Sequence, residues 1–239
     1  MKKIVVSTLA ASALVTSLLA ADKTKELVTH TEIGYIQTNG NTKTKTFNAD
    51  AKAERAWEKH VGIFTFDGQY ATDTGVTIKK KYFTELEYDY DFTDTFAFSY
   101  LVGYKYDQFS GFDYQAYTGP GAKYTAIKSD TQNLSLEASA LYSKDKYQAS
   151  GRTNSYASYR FKGLYDLAIT PTLKFTQELS VKGSFEESDN YFAFSKTAFI
   201  SKISDIFSAG ISYKLDYANI TPAAYKTDET LTFNLIMDY

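Results

Sequence analysis

The sequence predicts an all-β protein, a single transmembrane antiparallel β-barrel of about twelve strands. Three observations support this prediction: long segments with two-residue alternation, an N-terminal leader, and a last segment that ends in an aromatic residue. The 239 residues include 21 Tyr and 17 Phe, and aromatic residues are enriched in strands. Ten strands would follow if one irregular pair lay outside the membrane.

The alternation is clear where Tyr82, Leu86 and Tyr88 alternate with Glu85 and Glu87. Successive strand side chains point to opposite faces, so such a segment has one apolar and one polar face. The predicted strands have about 10 to 14 residues, whereas soluble proteins usually have about five or six. That length suits a tilted strand that crosses an apolar band of about 25 Å. We predict strands at 27–37, 44–57, 61–71, 79–91, 95–107, 113–126, 131–144, 154–168, 172–185, 190–202, 206–218 and 227–239.

The N-terminal residues 1–21 have the layout of a secretory signal peptide. Lys2 and Lys3 precede an apolar stretch, and the small residues Ala20 and Ala21 precede a charged segment that begins at Asp22. An uncleaved anchor is the alternative, although the stretch is short for a span of about 20 apolar residues. We predict cleavage after Ala21, which leaves 22–239 as the barrel domain.

The connections between the predicted strands alternate in length. Short turns are predicted at 58–60, 93–94, 128–130, 170–171 and 204–205. Longer loops are predicted at 38–43, 72–78, 108–112, 145–153, 187–189 and 219–226. Short turns at one end and longer loops at the other are typical of barrels in the bacterial outer membrane. We therefore expect both termini in the periplasm and the 39–41 loop outside the cell.

The last predicted strand has a regular outward row: Phe233, Leu235, Met237 and Tyr239 occupy every second position. This row resembles the C-terminal recognition signal of bacterial outer-membrane proteins, and we assign it as a membrane-insertion signal. The partners expected from this assignment are outer-membrane lipids and the barrel-assembly machinery. In a soluble protein such a strand would be an exposed edge prone to aggregation.

A family resemblance lies in the first strand, its turn and three later segments. The residues that carry it are Gly34, Tyr35, Ile36, Gln37, Thr38, Asn39, Gly40, Asn41 and Thr42, then Lys80-Lys81-Tyr82, Tyr106 to Gly111 and Gly119-Pro120-Gly121. Over 27–239 the chain resembles the salt-induced outer membrane protein family of Gram-negative bacteria. The resemblance implies an outer-membrane barrel and brings no catalytic residues. On physical grounds, Asn-Gly-Asn by itself indicates a tight hairpin turn.

Several function classes are disfavoured by composition. The absence of Cys excludes disulfides, a thiol nucleophile and a cysteine metal site. A net charge of −2 argues against a nucleic-acid binder. Of the two histidines, His60 is predicted in a turn, and only His30 could serve as the base of a barrel-embedded lipid hydrolase. We predict no enzyme, cofactor or metal, and keep the hydrolase as the least favoured alternative.

The predicted inward face is charged with both signs. The candidate lumen-facing residues are Glu85, Glu87, Asp89, Asp91, Lys105, Lys123, Arg160, Lys162, Lys174, Glu178, Lys182, Lys214 and Asp216. They fit a narrow channel for small polar solutes, with selectivity set by charge patches. The alternative is a closed structural or stress-related barrel, whose cross-strand ion pairs fill the lumen. In this assignment Val102 faces outward and Ser99 faces the lumen. We therefore predict that Val102→Arg destabilises the barrel in the membrane and that Ser99→Arg destabilises it less.

Overall fold

The computed structural model describes residues 27–37, 43–221, 223 and 225–238. The predicted leader, the Asn39-Gly40-Asn41 turn and Tyr239 lie outside the described residues. No helix in this part of the chain is long and apolar enough to cross a membrane.

The described chain forms twelve β-strands, which confirms the predicted fold class. Their bounds are β1 Leu27–Gln37, β2 Thr44–Trp57, β3 His60–Asp73, β4 Val76–Asp91, β5 Phe96–Asp107, β6 Phe112–Lys128, β7 Gln132–Tyr147, β8 Thr153–Thr170, β9 Leu173–Ser184, β10 Tyr191–Lys202, β11 Phe207–Ala218 and β12 Thr227–Asp238. Each strand pairs antiparallel with its neighbours in the chain, and β1 pairs with β12 to close the barrel. Closure gives every strand a partner on both sides, so no hydrogen-bonding edge is left.

The two ends of the barrel differ in their connections. We call the end where β1 begins and β12 ends the turn end, and the opposite end the loop end. Turn-end connections are residues 58–59, 92–95, 129–131, 171–172 and 203–206. Loop-end connections are residues 38–43, 74–75, 108–111, 148–152, 185–190 and 219–226.

Two of the predicted connections are wrong. His60 belongs to β3, where it pairs with Trp57, and is not a turn residue. The loop predicted at 72–78 is a two-residue turn, because β3 continues to Asp73 and β4 begins at Val76. Thr74 and Gly75 have φ angles of 49° and 83° in this turn. Two successive left-handed residues match the right-handed twist of a hairpin, so no longer loop is needed.

The outer face of the barrel carries the apolar row of each strand. Leu86, Val102 and Phe233 point outward and are exposed. Aromatic side chains flank this apolar zone at both ends. Exposed outward rings include Tyr70, Tyr82 and Tyr142 towards the loop end, and Trp57, Phe92, Phe96 and Tyr124 towards the turn end. Apolar residues between two aromatic girdles are the surface pattern of a barrel that sits in a bilayer.

The inner face brings side chains into the space that the strands enclose. Gly103 on β5 pairs with Tyr117 on β6, and both face inward. A side chain at Gly103 would overlap the Tyr117 ring. The missing side chain therefore makes room for this ring inside the barrel wall.

Candidate functional site in the lumen

The lumen holds four clusters of charged side chains, and β4 contributes to three of them. Alternate residues of β4 face inward, which places Lys81, Glu85, Glu87 and Asp89 in one row. Lys81 is 7% exposed and Glu85 is 4% exposed. A charged group that is buried to this extent needs close partners of opposite charge, since its desolvation costs several kcal/mol.

The first cluster is centred on Arg160 of β8. Its Nη1 donates to Glu85 Oε2 at 2.5 Å, and its Nη2 donates to Glu137 Oε1 at 2.8 Å. The Tyr117 hydroxyl also donates to Glu85, and Ser139 Oγ donates to Glu137 at 2.6 Å. Strands β4 and β8 are not neighbours, so the Arg160–Glu85 pair crosses the lumen. One forked guanidinium thus compensates two buried carboxylates.

The second cluster lies at the turn end, where Lys123 of β6 contacts both Glu87 and Asp89. Here β6 again meets β4, past the intervening strand β5. The single ammonium group of Lys123 therefore compensates the charges of two carboxylates in this cluster.

The third cluster lies midway along the barrel and joins β10 and β11 to β1, β2 and β3. Lys214 Nζ lies 2.7 Å from Asp50 Oδ1 and also contacts Asp67. Lys196 Nζ lies 2.8 Å from Glu32 Oε1. Of these residues, the sequence analysis singled out only Lys214. The other four residues also occupy inward strand positions, so the two-residue alternation of the sequence could have identified them.

The fourth cluster lies near the loop end and spans the barrel. Lys81 Nζ lies 2.8 Å from Asp216 Oδ2 and 2.9 Å from Asp228 Oδ2. Lys105 Nζ of β5 lies 3.2 Å from Asp216 Oδ1 of β11. Strands β5 and β11 are opposite each other in the twelve-strand order. This ion pair therefore bridges the full width of the lumen.

Loop segments cross the loop-end mouth above the fourth cluster. The Thr221 hydroxyl, in the connection from β11 to β12, donates to the Ser110 carbonyl at 3.2 Å. Ser110 belongs to the connection from β5 to β6, on the opposite side of the mouth. The rings of Phe112 and Phe192 also approach across the mouth, with centroids 6.5 Å apart. Backbone and aromatic side chains therefore reach across the loop-end mouth at these two contacts.

Most of the remaining predicted lumen residues have other partners. Lys162 Nζ lies 3.5 Å from Glu178, and Lys174 Nζ lies 3.0 Å from Asp166. Lys182 lies between two rings, with Nζ 5.2 Å from the Tyr117 centroid and 5.1 Å from that of Phe192. Asp91 is half-buried at the turn end of β4.

His30, the candidate base, lies at the seam where β1 meets β12. Its Nδ1 lies 2.5 Å from Asp238 Oδ1, and its Nε2 lies 3.1 Å from Glu32 Oε1. Both ring nitrogens thus face carboxylates. A serine nucleophile would need one of these nitrogens as its base. Among the described residues, no group of three or more His, Cys, Asp or Glu is placed to hold a metal ion.

Comparison with known proteins agrees with this architecture. A closed antiparallel barrel with an apolar outer band is the fold of outer-membrane β-barrel proteins, a class that includes porins. Residues 31–239 match the model of a family described as "Protein of unknown function, DUF481", and the chain belongs to this family. The family description names no activity, so the resemblance to the salt-induced family stays a prediction. No curated protein matches the sequence.

Solved structures with a similar fold include the NanC porin, at 10% identity and a TM-score of 0.51, over 90% of this chain and 99% of that one. The translocator domain of the autotransporter NalP from Neisseria meningitidis has 11% identity and a TM-score of 0.42, over 97% and 94% of the two chains. The channel DcaP of Acinetobacter baumannii has 10% identity and a TM-score of 0.42, over 90% and 95%. At 10% identity the likeness to the NanC porin concerns the fold alone.

Proposed function

We propose that the protein is a barrel of the bacterial outer membrane whose lumen is closed by its own side chains and loops. It would then serve the envelope as a structural barrel and not as an open pore. The observation that carries this proposal is the bridging of the loop-end mouth. Lys105 reaches Asp216 on the opposite wall, and Thr221 reaches Ser110 above them.

The energetics of the lumen support closure. A solute could pass only if the cross-lumen ion pairs separated, and separation leaves charges in the lumen without their partners, which costs free energy. Pairs of this kind occur near the turn end, midway and near the loop end. A passing solute would meet all of these levels in turn.

Release of small sugars and amino acids from liposomes tests the proposal. The wild-type protein should release neither. A variant with Lys105→Ala, Asp216→Ala and a short turn in place of residues 219–226 should release both faster than the wild type. It lacks the bridge between opposite walls and the covering loop, while the midway and turn-end ion pairs still slow the passage of solutes. The matched control is Lys146→Ala with Asp113→Ala, an ion pair on the outer side. Rapid release by the wild-type protein and this control alike would refute the closed lumen.

A narrow channel for small polar solutes is the second candidate. The ion pairs that bridge the lumen are made by lysine and arginine side chains, which can change rotamer. Among the described residues, no chain segment threads the lumen between the two ends. Selective release of one solute class by the wild-type protein would favour this candidate.

We infer that the barrel has no enzymatic activity. The inference is supported by His30, whose ring nitrogens face Glu32 and Asp238. The test is lipid turnover by wild-type protein and His30→Ala. Turnover that disappears in the variant would restore the hydrolase.

The outward row of β12 supports a further proposal, that the barrel-assembly machinery inserts this chain. Phe233, Leu235 and Met237 are exposed on the outer face of the closing strand. Replacing Phe233 and Leu235 by Ser should reduce the amount of folded protein in the outer membrane, and an unchanged amount would contradict this role.

A further inference from the structure

We propose that the outer rim at the loop end binds the phosphate groups of a phosphorylated glycolipid in the outer leaflet. The inference rests on the outer-membrane placement in the proposed function. The site is a set of three outward lysines, Lys45, Lys80 and Lys144, which we call the basic arc. It lies on the lipid side of the barrel and is separate from the lumen clusters.

The three lysines occupy equivalent places on three strands. On β2, β4 and β7 an exposed outward ring is followed, two residues nearer the loop end, by an exposed lysine. The pairs are Phe47 with Lys45, Tyr82 with Lys80, and Tyr142 with Lys144. Residues two apart in a strand share a face, so each lysine stands directly beyond a ring of the loop-end girdle. The ammonium groups thus lie at the level of lipid headgroups, while their stems cover apolar surface.

The basic arc is not neutralised by the neighbouring strands. The cross-strand partners are Gln37 and Thr72 for Lys45, and Tyr70 for Lys80. Those of Lys144 are Ala116 and Ser155, which are also uncharged. Lys146, the next outward residue on β7, differs because its Nζ lies 2.9 Å from Asp113. We therefore leave Lys146 out of the arc.

The rest of the loop-end rim carries both signs of charge, with exposed cations at Arg152 and Lys226. Exposed carboxylates occur at Glu187 and Asp189, between β9 and β10, and at Glu229 on β12. The turn-end connections are mixed, with Lys59 beside Glu58 and Asp130 following Lys128. A lysine near an anionic membrane surface gains about 1 kcal/mol. An anionic headgroup is therefore attracted to the β2–β7 side of the loop end, where the three lysines have uncharged cross-strand partners.

Strand spacing brings two of these lysines within reach of one lipid. Lys45 and Lys80 lie on strands separated only by β3, and neighbouring strands are about 4.8 Å apart. Tyr70 belongs to this intervening strand, and its hydroxyl lies 3.4 Å from Thr77 Oγ1. Acyl chains of the same lipid would lie against the apolar rows below the girdle. Phosphate and acyl chains would then be bound by adjoining parts of one surface.

The test is the affinity of the detergent-solubilised protein for lipid A, a phosphorylated glycolipid, and for its dephosphorylated form, measured by native mass spectrometry. Lys45→Gln with Lys80→Gln should weaken lipid A binding about fivefold per lysine, or about twenty-five-fold together. Dephosphorylated lipid should bind the wild-type protein about as weakly as lipid A binds this variant. The matched control, Lys59→Gln with Lys128→Gln, removes the same charge at the turn end and should bind like the wild type.

Equal affinity of the wild-type protein for the two lipids would overturn the proposal, and so would equal losses in the arc and control variants. Heat-modifiable gel mobility shows that each variant is folded. The result is independent of conductance: a wild-type protein that conducts ions while discriminating the two lipids would refute the closed lumen and leave the basic arc standing.

Discussion

The two faces of strand β4 differ in a way that reverses the rule for soluble proteins. Its outward residues Tyr82, Leu86 and Tyr88 are apolar or aromatic and exposed, whereas its inward residues Lys81 and Glu85 are charged and buried. The outer face is stable only against an apolar solvent, where such side chains gain about 1.5–3 kcal/mol each. The inner face is stable only if its charges compensate one another. The outer face thus depends on the bilayer, and the inner face depends on the rest of the protein.

The largest expected effect comes from removing the centre of an inner cluster. Arg160→Met leaves Glu85 and Glu137 buried without their cation, and the free energy of unfolding should fall by about 3–5 kcal/mol. Urea titration in detergent, followed by tryptophan fluorescence, measures this loss. Lys146→Met, which breaks an exposed pair with Asp113, should leave the midpoint nearly unchanged. Similar shifts for the two variants would mean that the inner pairs contribute no more than surface pairs.

The corresponding change on the outer face is Val102→Arg. Val102 faces outward on β5 and pairs with Leu86 on β4. An arginine midway across the bilayer costs about 2–4 kcal/mol. Refolding into lipid vesicles at several urea concentrations measures the loss, and a cost near zero would place Val102 away from the bilayer.

The inner counterpart, Ser99→Arg, sharpens the comparison. The sequence alone suggested that this change would be milder, because a polar lumen should tolerate a charge. Ser99 is however 0% exposed. A side chain added at its cross-strand neighbour Gly121 would already lie 2.7 Å from Ser99 Oγ. We now expect Ser99→Arg to cost at least as much as Val102→Arg in the same assay, while Ser99→Ala folds normally. A milder effect of the arginine would show that the lumen has more space.

A smaller effect is expected at Gly103, where the inner face has no room for a side chain. Gly103→Ala overlaps the Tyr117 ring and should cost about 1–3 kcal/mol through overpacking. Adding Tyr117→Ala removes the overlap, so the two changes should be clearly non-additive in a double-mutant cycle. Strictly additive losses would contradict the close approach of the two residues.

The smallest effect is expected for an ion pair that water reaches. Lys52 Nζ lies 2.9 Å from Glu54 Oε2 near the turn end, and both side chains are at least 40% exposed. Lys52→Gln should change the free energy of unfolding by less than about 1 kcal/mol. A loss as large as that of Arg160→Met would show that exposure does not separate strong from weak pairs here.

The strands could be predicted from the sequence because each obeys a local rule. The two-residue period defines both faces of β4 and β5, and it puts Glu85 and Val102 on opposite sides of the wall. The hairpin at Thr74-Gly75 was missed because polar residues on both sides resemble a loop. Its left-handed φ angles belong to the folded turn and could not be predicted from the residue types alone.

The partners inside the lumen could not be predicted in the same way. Lys105 meets Asp216, and Lys214 meets Asp50, across strands that are far apart in the sequence. Which residues reach each other depends on the diameter, tilt and stagger of the closed barrel. The reach of Thr221 to Ser110 depends likewise on loop conformation. The ion pairs that support the proposed closure are therefore visible in the structure and not in the sequence pattern.

The most direct test of the closed lumen is the conductance of the wild-type protein in a planar bilayer. Folded, heat-modifiable protein should insert and leave the bilayer electrically silent at moderate voltage, since the lumen is bridged near both ends and midway. Discrete, salt-dependent current steps from the same preparation would contradict this account. They would show that the lumen ion pairs line a channel and do not close it.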